Sequence, residues 1–198
     1  MFKLGLTGSI AMGKSTVAAM FEKCGVAVHD SDAVVHSAYE PDSSVFTMLG
    51  RLFPEAWNKK TLRIDRAKLA EIIYTEPEAR RALEGLLHPY VWDAQDSFLR
   101  KHRRMGTALV VFDIPLLYET GAENRLDAVC VATAPKFLQQ KRALRRPNMS
   151  EEKLRSILDT QLPDPVKRKR ADYIVHTGLG HAFAMREVRA IVKDILEK

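Results

Sequence analysis

The chain has 198 residues, of which 46% are hydrophobic and 28% are charged, and it carries a formal net charge of +6. This composition is typical of a folded globular protein and argues against a disordered or membrane-embedded chain. No apolar run approaches the roughly 18 residues that a membrane span requires, and the apolar N-terminal stretch lacks a signal-peptide cleavage motif. The two cysteines match no metal-ligand or disulfide pattern, so we expect a cytoplasmic protein in a reducing compartment.

The excess positive charge lies in one segment. Residues 136–170 contain eleven Lys+Arg and four Asp+Glu, whereas the rest of the chain is close to neutral. Such a segment predicts an anionic partner, either a nucleotide, a phosphorylated metabolite or nucleic acid, unless it is simply a solvated helical face. The basic runs at 100–104 and 167–170 have no interleaved aromatic residues that could stack on bases. We therefore expect no nucleic-acid partner.

Strand and helix signals alternate along the chain. Apolar and β-branched runs predict strands at residues 2–6, 26–29, 107–112, 127–132 and 173–175. Periodic apolar residues predict helices at 15–24, 45–53, 66–74, 77–104 with an interruption at Pro89, 135–145, 150–160 and 181–196. The alternation predicts an α/β fold, with a parallel sheet covered by helices on both faces.

The stretch between the second and third strands is too long for a simple crossover, so we expect it to form a helical subdomain. The resulting domain prediction has three parts. They are a nucleotide-binding core of residues 1–31, 106–135 and 166–198, a helical acceptor-binding insertion of residues 32–105, and a basic lid of residues 136–165.

Residues 8–15 read Gly-Ser-Ile-Ala-Met-Gly-Lys-Ser and fit the P-loop pattern G-x-x-x-x-G-K-[ST]. In this motif the glycines let the backbone curl so that its N–H groups face a phosphate, beside the positive N-terminus of the next helix. We expect Lys14 to reach the β- and γ-phosphates of ATP and the Ser15 hydroxyl to bind Mg²⁺. A glycine-rich turn with an incidental lysine is the alternative, but the flanking strand and helix favour the P-loop. The predicted nucleotide contacts come from Gly8, Ala11, Met12, Gly13, Lys14, Ser15 and Thr16.

Acidic residues follow two of the predicted strands. Asp113 comes directly after strand 107–112, where P-loop enzymes place an acid that helps to hold Mg²⁺, although any buried strand can end in Asp. Asp30 and Asp32 follow strand 26–29, at the strand end where ligands collect in a parallel sheet. One of these carboxylates could accept a hydroxyl proton during phosphate transfer. The alternative is that Asp32 is the N-cap of a helix that begins at Ala33.

A cluster of cations precedes Pro147. The spacing of Arg142 and Arg146 predicts that both lie on one helix face, next to Lys141 and Arg145. Phosphoryl transfer requires cations around the transferred group, and arginines on a mobile element commonly supply them. A closing lid would also exclude water from the nucleotide. Surface charge without a catalytic role is the alternative.

Several runs of residues resemble those of the dephospho-coenzyme A kinase family, and together they extend over nearly the whole chain. The runs that carry the resemblance are Leu6-Thr7-Gly8 with Gly13-Lys14-Ser15-Thr16, Asp30-Ser31-Asp32, Leu87-His88-Pro89, Pro115-Leu116-Leu117-Tyr118-Glu119, Gln140-Lys141-Arg142 with Arg146, Gln161-Leu162-Pro163 and Ala171-Asp172-Tyr173-Ile174-Val175. The P-loop is shared by many families, but the other runs together are distinctive.

The resemblance implies a P-loop kinase core with a helical substrate domain and a short lid. It implies transfer of the ATP γ-phosphate to the ribose 3′-hydroxyl of dephospho-coenzyme A, which gives coenzyme A and ADP. By the same resemblance Asp32 is the base, and Arg142 and Arg146 contact phosphates. The acceptor is expected near His88, Pro89, Pro115 and Leu116. Without the resemblance, His88 would be interpreted as a helix-end histidine before a proline kink.

Four positions depart from the family's usual pattern: Ser9, Ala11 and Met12 stand where the P-loop commonly has Gly, Gly and Ser, and His36 is the fourth. Ala11 stands where the family P-loop commonly has Gly, and it can supply the same N–H if its φ is negative. His36 stands where the family often has Arg, so we expect weaker pairing with a substrate phosphate at neutral pH. Three alternatives stay open: a different small-molecule or nucleotide kinase, an ATP-binding module without turnover, and a nucleic-acid binder. We expect a monomer or a weak homo-oligomer.

Overall fold

The computed structural model describes residues 1–197. In chain order its strands and α-helices are β1 (Phe2–Thr7), α1 (Lys14–Lys23), β2 (Ala27–Asp30), α2 (Ser31–Ser37), α3 (Phe46–Leu52), β3 (Trp57–Asn58), β4 (Arg63–Ile64), α4 (Arg66–Thr75), α5 (Pro77–Arg104), β5 (Leu109–Asp113), β6 (Ala128–Thr133), α6 (Lys136–Leu144), α7 (Glu151–Asp159), α8 (Asp164–Arg170), β7 (Tyr173–His176) and α9 (His181–Leu196). Short 3₁₀ turns lie at Pro54–Ala56 and Ala122–Arg125.

Five strands form the main sheet, in the order β2-β5-β1-β6-β7. Every neighbouring pair is parallel, so the carboxyl ends of all five strands lie along one edge. Ligands bind beyond this edge in open parallel sheets. The predicted parallel sheet flanked by helices is confirmed, and each strand lies within about two residues of its predicted position.

Side chains on both faces of the sheet are buried. One cluster contains Cys130 of β6, Phe21 of α1 and Val188 of α9. Val131, the next residue of β6, belongs instead to a cluster with Leu117. Successive side chains of a strand point to opposite faces, so the two clusters lie on opposite sides of the sheet. This explains why the strands read as continuous apolar runs rather than as alternating ones.

The chain divides into two compact units. One contains Met1–Asp30 and the residues from His102 onward, and therefore holds the whole five-stranded sheet. The other contains Ser31–Lys101, with a core that includes Leu49 and Leu83 and a small antiparallel hairpin formed by β3 and β4. Its helix α4 begins at an N-cap, because the Asp65 carboxylate accepts hydrogen bonds from the second and third N–H groups of the helix.

One local prediction is wrong, and two elements of the structure were not predicted. The predicted interruption at Pro89 is wrong, because α5 runs through this residue as one helix of 28 residues. A proline inside a helix clashes with the carbonyl four residues earlier, and here that residue is Gly85, whose backbone adapts more easily than any other. The basic run at 167–170 forms α8, which the sequence did not predict. The β3–β4 hairpin was not predicted either.

Candidate functional site

The loop between β1 and α1 requires both of its motif glycines. Gly13 has a φ of 91°, and a Cβ atom at this position would lie 2.9 Å from Oγ1 of Thr177. Gly8 passes so close to β6 that a Cβ atom would lie 2.7 Å from the carbonyl oxygen of Ala132. Any side chain at either position would therefore push the loop away from the sheet edge.

Ala11 also has a left-handed backbone, with a φ of 60°, so the condition of a negative φ, under which it would supply the same N–H as the family's glycine, is not met. The reason is the turn that the Met12 N–H closes onto the Ser9 carbonyl at 3.1 Å, since Ala11 occupies its third position, where type II turns have a positive φ. An L-residue in this region costs about 1–2 kcal/mol. The Ala11 methyl group is only 7% exposed and packs with Ala143 and Leu154, which offsets part of this strain.

The N-terminus of α1 directly follows the loop. Lys14 and Ser15 are its first two residues, and the Gly13 carbonyl accepts hydrogen bonds from the N–H groups of Thr16 and Val17. Backbone donors in the first turn of a helix have no partner within the helix, and the helix dipole makes this end positive. Ser15 and Thr16 are exposed. This geometry suits a phosphate group.

The P-loop lysine and the strand-end acid meet. The Lys14 ammonium forms an ion pair with the Asp113 carboxylate, and the two side chains are 16% and 6% exposed. Asp113 ends β5, and Leu6 of β1 lies beside it in the sheet. The structure thus brings together two residues that the sequence predicted separately, at the carboxyl edge of the sheet.

Arg142 is joined to the loop through Thr177. Its guanidinium donates two hydrogen bonds to this residue, from Nη1 to Oγ1 at 3.0 Å and from Nη2 to the backbone oxygen at 2.9 Å. The Thr177 hydroxyl in turn donates to the carbonyl oxygen of Met12 at 2.6 Å. Thr177 directly follows β7, and sequence reasoning missed it because a lone threonine after a strand carries no motif.

Arg146 does not share a helix face with Arg142, so that prediction is wrong. Helix α6 ends at Leu144, and Arg146 lies in the following turn, where its N–H donates to the Ala143 carbonyl at 2.9 Å. Pro147 explains the early end, because the residue before a proline disfavours helical backbone. The Arg146 side chain is exposed.

Asp30 and Asp32, the two acids predicted at the end of the second strand, lie in different elements. Asp30 is the last residue of β2 and lies beside Asp113 in the sheet register. Asp32 is the second residue of α2, in the helical unit, so the alternative, in which it is the N-cap of a helix beginning at Ala33, is wrong. A carboxylate in the first turn still interacts favourably with the helix dipole.

The other residues predicted in the helical unit are exposed on α5. His88 and Pro89 lie side by side in the middle of this helix, and the His88 ring is tilted against Trp92 with ring centroids 5.8 Å apart. His88 is therefore not a helix-end residue, which corrects the interpretation made without the resemblance.

An arginine lies beside the histidine that departs from the family pattern. Nη1 of Arg66 is 2.7 Å from Nδ1 of His36, and its Nη2 donates to the His36 carbonyl at 3.3 Å. Arginine has no acceptor atom, so Nδ1 accepts this hydrogen bond. Arg66 also pairs with Glu40 at 3.5 Å. The guanidinium of Arg66 therefore lies beside residue 36, the position at which the family often has an arginine.

The run from Pro115 to Glu119 lies at the same edge of the sheet as the loop. The carbonyl oxygen of Pro115 accepts a hydrogen bond from the Thr7 hydroxyl at 2.9 Å, which ties it to the end of β1. Leu116 is 39% exposed, whereas Leu117 is fully buried. Pro115 and Leu116 therefore present accessible surface next to the P-loop strand.

Glu119 forms a buried ion pair that the sequence did not reveal. Its Oε1 atom is 2.9 Å from Nζ of Lys167, which is fully buried, and it accepts a hydrogen bond from the Leu162 N–H at 2.7 Å. Burial raises the pKa of Glu119, but the Lys167 ammonium and the Leu162 N–H outweigh it, so the net pKa lies below the ordinary value. Lys167 sits in a run of four basic residues, and nothing in that run distinguishes it from its exposed neighbours.

Among residues 1–197, no helix is long and apolar enough to cross a membrane. Within the same residues, no group of three or more His, Cys, Asp or Glu side chains has a metal-binding arrangement. Cys24 and Cys130 are free thiols, and burial of Cys130 raises its pKa.

Comparison with known proteins assigns these features to one family. The dephospho-CoA kinase family model matches residues 2–180. A dephospho-CoA kinase from Mesorhizobium japonicum is 45% identical over 195 residues, which cover 98% of this chain and 97% of that protein.

Solved structures agree with the sequence comparison. The crystal structure of TT1252 from Thermus thermophilus has a TM-score of 0.85 and 33% identity, and the match covers 98% of this chain and 97% of that one. A dephospho-CoA kinase from Campylobacter jejuni has a TM-score of 0.71 and 28% identity, with 98% and 96% covered. The similarity therefore extends over both compact units.

Proposed function

This chain belongs to the dephospho-CoA kinase family and uses ATP to phosphorylate dephospho-CoA in coenzyme A biosynthesis, and we propose that the phosphate is transferred to the ribose 3′-hydroxyl by the residues described above. The observation that carries this proposal is the ion pair between Lys14 and Asp113, together with a loop whose glycines Gly8 and Gly13 leave no room for side chains.

In the proposed mechanism, the ATP phosphates bind at the N-terminus of α1. The backbone of Gly8, Ala11, Met12 and Gly13 curls around them, and Lys14, Ser15 and Thr16 contact them from the first turn of α1. Lys14 reaches the β- and γ-phosphates and stabilises the charge that spreads over the transferred group. The curvature at Gly13 and the positive end of α1 support this assignment.

We assign a magnesium ion to Ser15 and Asp113. A hydroxyl and a carboxylate are oxygen ligands of the kind that Mg²⁺ prefers, and Mg²⁺ usually takes only one or two carboxylates beside the substrate phosphates. Asp113 is 4% exposed at a strand end, and Ser15 is an exposed residue in the first turn of α1. When bound, the ion would neutralise phosphate charge. Asp113 would then exchange contact with Lys14 for contact with the ion.

Asp32 is the proposed general base. It would accept the proton of the ribose 3′-hydroxyl while that oxygen bonds to the γ-phosphorus and the bond to the β-phosphate oxygen breaks, which leaves ADP. Its place in the Asp-Ser-Asp run after β2 supports this role, since ligands collect beyond the carboxyl ends of parallel strands.

Residues 136–165 are the proposed lid, with Arg142 and Arg146 as its phosphate contacts. Arg142 donates a hydrogen bond to Thr177, whose hydroxyl is bonded to the loop at Met12. Arg146 is exposed in the turn after α6. Two guanidinium groups would balance the negative charge of the transferred phosphoryl group. Residues 32–105 are the proposed acceptor-binding insertion, and the proposed acceptor contacts are His88, Pro89, Pro115 and Leu116.

The experiment compares dephospho-CoA with its 3′-deoxy analogue in an ADP-release assay containing Mg-ATP, with the product examined by ³¹P NMR. We expect a 3′-phosphomonoester from the natural substrate and no ADP above the acceptor-free rate from the analogue. Turnover of the analogue, or phosphate on another oxygen, would contradict the proposed acceptor group. A cytoplasmic location and a monomeric or weakly oligomeric state stay predictions.

A further inference from the structure

One residue of the P-loop has both of its backbone polar groups bound by glutamine side chains. The Ile10 N–H donates to Oε1 of Gln161 at 3.0 Å, and Nε2 of Gln139 donates to the Ile10 carbonyl at 3.0 Å. Gln139 lies in α6 and is 5% exposed, whereas Gln161 lies two residues after the end of α7. The two side chains therefore reach the same loop residue from two separate elements of the chain.

The backbone fixes the orientation of both amides. A peptide N–H can only donate and a carbonyl can only accept, so Gln161 must present oxygen to Ile10 and Gln139 must present nitrogen. The two contacts are thus opposite in polarity although the side chains are identical. Neither glutamine could be replaced by a residue with the wrong polarity without leaving a peptide group of Ile10 without its partner.

Apolar contacts join the same surfaces. Ala11 packs against Ala143 of α6 and Leu154 of α7, and Ile10 and Leu158 lie at the border of this cluster. The Ala11 methyl group belongs to this contact, so the alanine that replaces the family's usual glycine adds packing between the loop and the basic helices. Hydrogen bonds and apolar packing therefore act between the same two parts of the chain.

Hydrogen bonds fix the backbone at Gln161 and at the residue that follows it. Its N–H donates to the Leu158 carbonyl at 3.1 Å, and the next residue, Leu162, donates its N–H to Glu119 at 2.7 Å. Glu119 is paired in turn with the fully buried Lys167. The position of the Gln161 side chain is thus anchored independently of the loop that it contacts.

We propose that Gln139 and Gln161 are positioning residues that set the shape of the P-loop and couple it to the α6–α7 segment. Ile10 lies between Gly8 and Ala11, which are both assigned to phosphate binding, so rotation of its peptide groups would turn the N–H groups that follow. Nucleotide affinity should therefore depend on two side chains that touch no nucleotide. This inference rests on the ATP-binding role assigned to the loop under the proposed function.

The test uses the same substitution at three positions. Gln161→Glu keeps an acceptor for the Ile10 N–H, whereas Gln139→Glu replaces the donor to the Ile10 carbonyl with a second acceptor. Both variants place one new negative charge at the same loop residue, so charge alone affects them alike. Gln140→Glu, at the exposed neighbour of Gln139 on α6, controls for the charge on this helix.

Binding of Mg-ADP is measured by isothermal titration calorimetry, together with KM for ATP and for dephospho-CoA and the melting temperature. We expect Gln139→Glu to weaken Mg-ADP about tenfold or more and to raise KM for ATP in parallel, with KM for dephospho-CoA unchanged. Gln161→Glu and Gln140→Glu should stay within about threefold of the wild type. Gln161→Leu, which removes the acceptor without adding charge, should weaken Mg-ADP about fivefold and provides the test if Gln139→Glu does not fold.

Equal weakening by Gln139→Glu and Gln161→Glu would show a charge effect and overturn the inference, and so would unchanged affinity in Gln161→Leu. A lower melting temperature with wild-type affinity would assign the glutamines a purely structural role. If the wild type binds no Mg-ADP, the ATP-binding role of the loop fails as well, and this result distinguishes the two failures.

Discussion

Replacing Lys167 with methionine should destabilise the protein strongly, although the residue lies in a run of basic residues. Methionine has a similar length but no charge, so the substitution leaves the Glu119 carboxylate, whose side chain is 14% exposed, without its counter-ion. Breaking a buried ion pair by removing one partner costs about 3–5 kcal/mol. The Leu162 N–H still donates to Glu119 at 2.7 Å, so we expect the lower limit, about 3 kcal/mol.

A loss of this size lowers the melting temperature by about 6–12 °C for a protein of this length. The assay is thermal unfolding followed by circular dichroism. The control is the double variant Lys167→Met with Glu119→Gln, which removes both charges and keeps an oxygen for the Leu162 N–H. We expect the double variant to recover most of the loss. A change below about 2 °C in the single variant, or a double variant no more stable than the single one, would refute the reasoning.

The pH dependence of the stability gives a second test of the Glu119–Lys167 ion pair. The folded-state pKa of Glu119 lies below its ordinary value of 4.5, so its ion pair stabilises the wild type above that pH and the contribution is lost as the pH falls through the folded pKa. Without Lys167, burial is opposed mainly by the Leu162 N–H, so the pKa of Glu119 should rise, and protonation of Glu119 in the folded state then reduces the cost of its lost counter-ion. The stability difference should therefore be largest at neutral pH and narrow below about pH 5.

Three variants test the proposed catalytic roles by steady-state ADP release. Lys14→Met should lower kcat about a thousand-fold or more while circular dichroism shows a folded protein, because a γ-phosphate contact is lost; a near-normal rate would contradict the P-loop assignment. Asp32→Asn should lower kcat strongly with little change in KM for dephospho-CoA, whereas a loss of thermal stability alone would leave Asp32 with only a helix-dipole role. Arg146→Ala should reduce kcat about a hundred-fold or more without changing the melting temperature, and an unchanged rate would identify Arg146 as surface charge.

The elements that the sequence predicted well are those with a strong local signal. The apolar run at the start of the chain, followed by Gly8, marks β1 and the turn into the loop, because buried parallel strands have no polar face. Gly13, Lys14 and Ser15 mark the start of α1 in the same way. Short-range patterns of this kind are independent of the rest of the fold.

The features that the sequence did not predict depend on distant residues. Lys167 is buried only because Glu119, 48 residues earlier in the chain, lies against it. The positive φ of Ala11 follows from the turn closed by Met12, and the contacts of Ile10 come from Gln139 and Gln161 on separate elements. No periodicity or motif encodes such pairings.

The most direct test of the central claim is ADP release with Mg-ATP and a panel of acceptors: dephospho-CoA, pantetheine, nucleoside monophosphates, shikimate and none. We predict turnover with dephospho-CoA alone and coenzyme A as the product. Turnover with a different acceptor and none with dephospho-CoA would contradict the assigned activity while leaving the P-loop kinase fold in place.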